Sequence, residues 1–168
     1  MPFAPVLALY PGTFDPFTYG HLDVLERALS LFDRVEVTVG VNASKDTLFS
    51  TEERISLIEA CTEHLDDVQV AAHEGLIVDR ADAVGARVLV RGLRQVSDFD
   101  YEFRMAFANR KLAPDLETIF LMTSEAHAFV SASIVRDVHH WEGDVSKFVP
   151  PPVVEALAQK QRAADGAS

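Results

Sequence analysis

The chain has 168 residues, 48% of them hydrophobic, 9% aromatic and 24% charged, a globular composition of a size that fits one domain. Its 15 lysines and arginines stand against 26 aspartates and glutamates, and the formal charge of −11 argues against a general nucleic-acid or anionic-membrane surface. The longest apolar runs, such as Thr118 to Met122, are far shorter than the roughly 20 residues a membrane-spanning helix needs, and Met1 to Pro5 lacks a secretory signal pattern, so a cytoplasmic location is expected.

Val6 to Tyr10 reads as a short buried strand ended by the turn signal Pro11-Gly12. From Thr18 onward, Leu22, Leu25, Leu29 and Phe32 recur at three- and four-residue steps, the pattern of an amphipathic helix. Val35 to Val41 is rich in β-branched residues and makes a second strand. Asn42 to Phe49 forms a polar loop before Ser50-Thr51-Glu52-Glu53, a capping box whose Ser50 and Glu53 side chains satisfy free N–H groups at a helix start. That helix runs to about Leu65 and carries the only cysteine, Cys61, which reads as a small core hydrophobe beside Leu57 and Ile58. A strand near Val68 to Ala71, a helix from about Leu76 to Val84 and the strand Arg87 to Val90 follow, the last leading into Arg91-Gly92-Leu93-Arg94. Asp98 opens a long helix to about Leu112, and Thr118 to Met122 makes a fifth strand. Helices over Ser131 to His139 and Pro150 to Gln161 close the pattern, the prolines suiting a first turn. Strands alternating with helices predict an α/β, Rossmann-like fold: a five-stranded parallel sheet flanked by helices on both faces. Residues 1–161 are expected to form this single domain and 162–168 an unstructured tail.

In such sheets ligands bind beyond the carboxyl ends of the strands, where the strand order reverses, so the loops after strands carry the chemistry. The first contains Gly12-Thr13-Phe14-Asp15-Pro16 and then Thr18-Tyr19-Gly20-His21. With Thr18 as the cap, Thr18 and His21 share a face beside unpaired backbone N–H groups, a place that favours phosphate. His21 can then reach a phosphoryl oxygen, and Gly20 leaves room for phosphate to approach the backbone. Thr18 and His21 alone would read as a cap and an exposed first-turn histidine; the complete string in a strand-to-helix turn favours an anion site. Lys45 alone reads as a solvated loop lysine, Arg91 and Arg94 could pair with Asp98 or Glu102, and Tyr101 and Glu102 could be helix surface. The shared position of the cations after strands favours a local cluster for a small anion, and a screening length of about 8 Å permits that on an acidic protein. His139 and His140 receive no role.

Further strings follow at matching spacing: Ser44-Lys45, Glu52-Glu53-Arg54, Arg91-Gly92-Leu93-Arg94, Asp98-Phe99 with Tyr101-Glu102, Phe120-Leu121-Met122 and Ser131-Ala132-Ser133. Over Tyr10 to about Val149 the chain resembles the nucleotidyltransferases with a TxGH or HxGH motif, and within them the family of bacterial phosphopantetheine adenylyltransferases. The resemblance implies transfer of the adenylyl group of ATP to 4′-phosphopantetheine, giving dephospho-coenzyme A and pyrophosphate in the penultimate step of coenzyme A synthesis. It implies phosphopantetheine contacts from Thr13, Lys45, Ile77 and Arg91. It implies ATP contacts from Thr13, Phe14, His21, Gly92, Leu93, Arg94 and Glu102, and from the stretch His127, Ala128, Phe129, Val130, Ser131, Ala132 and Ser133. His21 would stabilise the transition state. Mg2+ carried by ATP without a protein side-chain ligand, a homohexamer built as a dimer of trimers, and feedback binding of coenzyme A are implied on the same grounds. Two departures are visible: Ala132 interrupts what is often a run of three serines, and His127 stands where an aromatic residue is common.

The residue types agree with this chemistry. The acceptor's phosphate oxygen is already anionic at neutral pH, so its attack on the α-phosphorus needs no general base and no covalent protein intermediate; positioning and charge stabilisation must supply the rate. Lys45 and Arg91 suit holding the acceptor anion, while His21 and Arg94 suit the charge growing on the α-phosphoryl group and the leaving pyrophosphate, so that His21, Lys45 and Arg94 form the candidate catalytic set. The rivals are another acceptor within the superfamily and a nucleotide-binding regulator without turnover. The Arg91 to Arg94 string with Tyr101-Glu102 argues against the first, and retention of His21, Lys45 and both arginines against the second.

Overall fold

The structure is a computed structural model that describes residues 5–42 and 44–166. Among these, five strands, β1 (Leu7–Gly12), β2 (Arg34–Val41), β3 (Val68–Glu74), β4 (Val88–Leu93) and β5 (Glu117–Met122), pair in parallel in the order β3-β2-β1-β4-β5. Crossover helices α1 (Tyr19–Leu29), α2 (Thr51–Thr62), α3 (Ile77–Val84) and α4 (Val96–Leu112) join them, and α5 (Ala132–His140) and α6 (Pro151–Asp165) follow β5. The alternation in the sequence therefore produces the Rossmann-like sheet it predicts.

Period-two alternation along the central strands sorts side chains onto two cores. Ala8 and Tyr10 of β1, Val35, Val37 and Val39 of β2 and Val90 of β4 pack with Val24, Leu25, Ile58, Cys61, Val135 and Leu157 from α1, α2, α5 and α6. Leu9 and Leu89 point the other way, toward Val78 and Ala81 of α3 and Leu116. Central strands buried on both faces explain why Ala8, Leu9 and Tyr10 form a continuous apolar run. Full burial of a leucine such as Leu9 contributes about 2 kcal/mol. Cys61 is buried as expected, and desolvation pushes its thiol up to about 12, which keeps it an inert hydrophobe.

Two boundaries differ from the sequence reading in ways that matter for the site. Pro11 and Gly12 continue β1, opposite Thr38 and Val39 of β2, instead of ending it in a turn. The ladder from β1 to β4 covers only Ala8 and Leu9, so past Leu9 the strand has a single neighbour and a proline without an N–H is tolerated. Arg91, Gly92 and Leu93 likewise lie within β4, paired with Phe120, Leu121 and Met122, rather than in the loop after it. At the far end, α6 runs past Gln161 to Asp165, and the expected tail residues 167 and 168 lie outside the described residues.

The strand order reverses between β1 and β4, and the turn that leaves β1 there is tied down by two buried charges. The Asp15 carboxylate, 2% exposed, accepts the Leu48 and Phe49 N–H groups at 2.8 and 2.9 Å. Arg54 of α2, 3% exposed, donates to the Thr13 carbonyl at 2.8 Å, the Gly40 carbonyl at 3.2 Å and the Thr51 hydroxyl at 3.1 Å. Asp15→Ala leaves the buried Phe49 N–H and the half-buried Leu48 N–H unpaired and is expected to lower the unfolding free energy by about 2 kcal/mol in urea titration, whereas a surface-sized loss under about 0.5 kcal/mol would show the tie to be dispensable.

Candidate active site

Thr18 caps α1, and its partner is His21 itself. The Thr18 Oγ1 accepts the His21 N–H at 3.3 Å while His21 Nδ1 accepts the Thr18 N–H at 3.1 Å, a reciprocal capping box with an imidazole where glutamate is usual. Because Nδ1 accepts from a backbone N–H, the neutral ring carries its proton on Nε2, and Nε2–H is the donor that His21 offers to the cleft it lines. The ring lies edge-on to Phe14 at 5.0 Å and stacks on Phe17 at 5.6 Å. His21 is thus packed between aromatic rings, not the exposed first-turn residue that the sequence allowed. Burial, reinforced by the Arg94 and Arg91 charges, pulls its pKa from 6.5 down to about 3.

The turn supplies this packing through an unusual backbone. Phe14 sits in the left-handed region at φ 51°, which turns its ring back over Gly12, where a Cβ would lie 2.8 Å from Phe14 Cζ. Gly12 is therefore required by Phe14. Gly20 is under less demand from the protein: an added Cβ would meet the Val130 and His127 carbonyl oxygens at 3.6 and 3.7 Å, ordinary contacts.

Around His21 opens a cleft of about 650 Å³ at the carboxyl ends of β1 and β4. Tyr10 to Asp15 contribute one part of its wall and Lys45, Asp46 and Thr47 of the loop after β2 another. Arg91 and Gly92 of β4, Arg94, and Asp98, Tyr101 and Glu102 of α4 supply a third part, and Val130 to Ser133 with Arg136 a fourth. Lys45 Nζ reaches Thr13 Oγ1 at 3.5 Å. Arg91 donates to Glu102 through Nε at 2.7 Å and Nη2 at 2.5 Å, and to the Pro11 carbonyl through Nη1 at 2.6 Å. Burial is the largest single influence on the Arg91 pKa and lowers it, but the Glu102 hydrogen bond and charge, together with Tyr10 and Tyr101, more than offset it and hold the guanidinium above its ordinary value. Arg94 meets Asp98 at 3.4 Å. Both arginines are therefore engaged with the carboxylates that sequence spacing named as alternative partners, while still facing the cleft. The Tyr10 hydroxyl is raised by burial and stays neutral.

Thr13, Phe14, His21, Lys45, Arg91, Gly92, Arg94, Glu102, Val130, Ser131, Ala132 and Ser133 all line this one cleft. Ile77 begins α3 and packs with the Leu9 and Leu89 core, outside that wall. Leu93, His127, Ala128 and Phe129 also lie off it: the Leu93 carbonyl accepts the Thr123 N–H, His127 stacks on Tyr19 at 5.7 Å, and Phe129 is exposed against Phe148. Ser131 caps α5, its Oγ accepting the Ile134 N–H at 3.2 Å, so the helix start that faces the cleft retains free N–H groups. Sequence reasoning missed Arg136, which donates to the Asp15 carbonyl from α5 and lines the cleft. Its three-residue spacing from Ser133, which puts both on one helix face, was the available signal. Among the described residues no three His, Cys, Asp or Glu side chains gather as a metal-holding group.

The cytidylyltransferase-like family model matches residues 9–138. Phosphopantetheine adenylyltransferases of two Desulfitobacterium hafniense strains are each 50% identical over 154 residues, spanning 92% of this chain and 94% of the relative. Among solved structures, a bifunctional NMN adenylyltransferase/ADP ribose pyrophosphatase from Francisella tularensis superposes with a TM-score of 0.71 at 17% identity over 93% of this chain and 49% of its own. At that identity the likeness is one of fold.

The low His21 pKa has a definite sign in stability. As pH falls, the unfolded chain takes up the proton near 6.5 while the folded ring resists it to about 3. His21 thus contributes stability that is complete above about pH 6.5 and is lost as pH falls toward 3. An NMR titration of the ligand-free protein is expected to leave the His21 ring resonances unmoved from about pH 8 to about pH 5; a midpoint near the ordinary histidine value would contradict the half-buried, ring-packed neutral imidazole.

Proposed function

The chain belongs to the cytidylyltransferase-like family and, within it, to the phosphopantetheine adenylyltransferases, and we propose that its cleft performs their reaction by positioning and charge stabilisation alone. The activity is the reversible transfer of the adenylyl group of ATP to 4′-phosphopantetheine, giving dephospho-coenzyme A and pyrophosphate, a step of coenzyme A biosynthesis. One observation carries the reading of the site: in a protein of net charge −11, His21, Lys45, Arg91 and Arg94 converge on one cleft at the point where the strand order reverses.

In this reading Lys45, Arg91 and Thr13 hold the acceptor phosphate. Its anionic oxygen attacks the α-phosphorus in line, forming one P–O bond as the bond to the β-phosphate breaks, and pyrophosphate leaves without any proton transfer by the protein. His21 donates through Nε2–H to an α-phosphoryl oxygen, and a neutral donor suffices because charge is redistributed rather than created. Arg94 and the start of α5, with Ser131 and Ser133, receive the β- and γ-phosphates. Ala132 offers its backbone N–H where a third hydroxyl would otherwise stand. Magnesium bound to the triphosphate would neutralise charge and polarise phosphoryl oxygens. Of the carboxylates that line the cleft, Asp15 accepts two backbone N–H groups and Asp98 and Glu102 pair with Arg94 and Arg91, which fits an ion held by phosphate oxygens, and no side chain is assigned to it.

A homohexamer, arranged as a dimer of trimers, belongs to the same proposal. It is supported by α4, whose Phe99, Phe103 and Phe107 are exposed in mutual ring contact, an apolar stripe that assembly would cover. Coenzyme A carries the product's own pantetheine and adenylate groups, so its feedback binding would fall in this cleft. No helix among the described residues is long and apolar enough to cross a membrane, and a cytoplasmic location completes the proposal.

Pyrophosphate release with ATP and magnesium is expected with 4′-phosphopantetheine and absent with nicotinamide mononucleotide or glycerol 3-phosphate; release with either of those instead would overturn the acceptor assignment. His21→Ala is expected to lower kcat by on the order of 100-fold or more. Loss of its capping bond should also cost about 1 kcal/mol of stability, with the fold retained by circular dichroism. Undiminished turnover in that variant would remove His21 from the mechanism.

A further inference from the structure

The segment after β5 reaches the cleft at both ends, through Thr123 and then Val130 to Ser133, but its middle is thinly anchored. Thr123 is held by the end of β4, its N–H and its hydroxyl donating to the Leu93 carbonyl at 3.0 and 3.3 Å. The chain then makes a short 3₁₀ turn, Glu125–His127, whose neighbourhood is closed by turn bonds from the His127 N–H to the Ser124 carbonyl and from the Val130 N–H to the His127 carbonyl, both at 3.0 Å. Among the described residues one hydrogen bond ties residues 124–130 to the rest of the protein: the Ser124 N–H donates to Asp23 Oδ2 of α1 at 2.8 Å. The same side of α1 meets the segment twice more. Tyr19, one turn before Asp23, stacks on His127, and Gly20 faces the His127 and Val130 carbonyls. Asp23 lies outside the cleft wall with its side chain 18% exposed, and its other partner is the half-exposed Arg27, whose Nε lies 3.3 Å away.

We propose that Asp23 is a positioning residue for the nucleotide side of the cleft: by holding the Ser124 N–H it sets the segment after β5 against the same helix that presents His21. Its effect reaches ATP through that segment and not by contact. The inference rests on the reading above that the stretch from His127 to Ser133 serves ATP. A segment tied only by its own turns must be ordered each time ATP binds, and the lost entropy is subtracted from the affinity. A charge-assisted bond to a helix orders it beforehand. Two other roles for the carboxylate make different demands. As a helix-surface partner of Arg27 it would matter no more than Arg27 does. As a charge near the cleft, or as a ligand for a cation, it would need its full negative charge and not merely an oxygen that accepts.

The test compares wild type with Asp23→Ala, Asp23→Asn, Arg27→Ala, Ser124→Pro and the Asp23→Ala, Ser124→Pro double variant by pyrophosphate release, with KM resolved for each substrate. Proline removes the N–H itself, and Ser124 already sits at φ −59°, inside proline's range. Asp23→Ala is expected to raise the KM for ATP about ten-fold, as for loss of a charge-assisted hydrogen bond, and to leave the KM for 4′-phosphopantetheine within about two-fold. Asp23→Asn keeps an oxygen for the N–H and should hold the KM for ATP within about three-fold of wild type, and Arg27→Ala within about two-fold. Ser124→Pro should raise the KM for ATP as Asp23→Ala does, and the double variant should add little to either. Should Asp23→Ala fail to fold, Ser124→Pro carries the same comparison. Should turnover vanish, calorimetric titration with ATP and with 4′-phosphopantetheine separately reads the same split. An unchanged KM for ATP in Asp23→Ala, a rise confined to the acceptor, Asp23→Asn as impaired as Asp23→Ala, or the same loss in Arg27→Ala would each overturn the proposal. Wild-type protein that releases no pyrophosphate with ATP and 4′-phosphopantetheine would overturn the substrate reading itself, an outcome visible before any variant is made.

Discussion

The buried carboxylate of Asp15 sets the geometry on which the cleft depends. Its two N–H bonds draw the segment entering α2 against the turn that leaves β1, its carbonyl receives Arg136 from α5, and Arg54 of α2 holds the neighbouring Thr13 carbonyl. Elements that start far apart in sequence therefore meet on one short turn. The turn in turn fixes Phe14 at a positive φ, and the Phe14 and Phe17 rings, with the Thr18 N–H, leave the His21 imidazole a single orientation. A charge buried this far would be costly if unpaired, and here each Asp15 oxygen has a backbone donor.

The electrostatics of the cleft follow from the same economy of fixed groups. His21 is neutral near pH 7, because burial and two nearby arginines oppose its protonation, so the proposed mechanism uses it as an oriented donor and not as a cation or a proton carrier. That matches a displacement whose nucleophile arrives already ionised. The positive charge comes from Lys45, Arg91, Arg94 and Arg136, and Arg91 is held by Glu102 and the Pro11 carbonyl. Preorganised donors in a recessed site need little rearrangement as charge shifts from the acceptor to pyrophosphate.

Much of this was legible in the sequence because it is local. The Ser50 and Glu53 capping box forms as its spacing demands, with bonds of 2.7 and 3.1 Å, and the alternation of strands and helices gave the parallel sheet and hence the position of the cleft. The string from Gly12 to His21 located the cleft, through a capped helix start beside a tight turn. Its limits were contacts set by tertiary packing. Pro11-Gly12 looks like a turn unless the missing β4 neighbour is known, and His21 looks exposed until Phe14 and Phe17 close on it. Arg54 and Arg136 reach partners 41 and 121 residues away, so spacing could place Arg136 on the Ser133 face of α5 but could not name the carbonyl it binds.

The claim that the cleft works by positioning one anion against the α-phosphorus, without a covalent protein intermediate, has a stereochemical signature. ATP made chiral at the α-phosphorus with sulfur in place of one oxygen can be converted to dephospho-coenzyme A, and the configuration of the product read by phosphorus NMR. A single in-line displacement inverts that centre, and inversion is the expected result. Retention would require two displacements through an adenylylated side chain, and would contradict the mechanism built on His21, Lys45, Arg91 and Arg94.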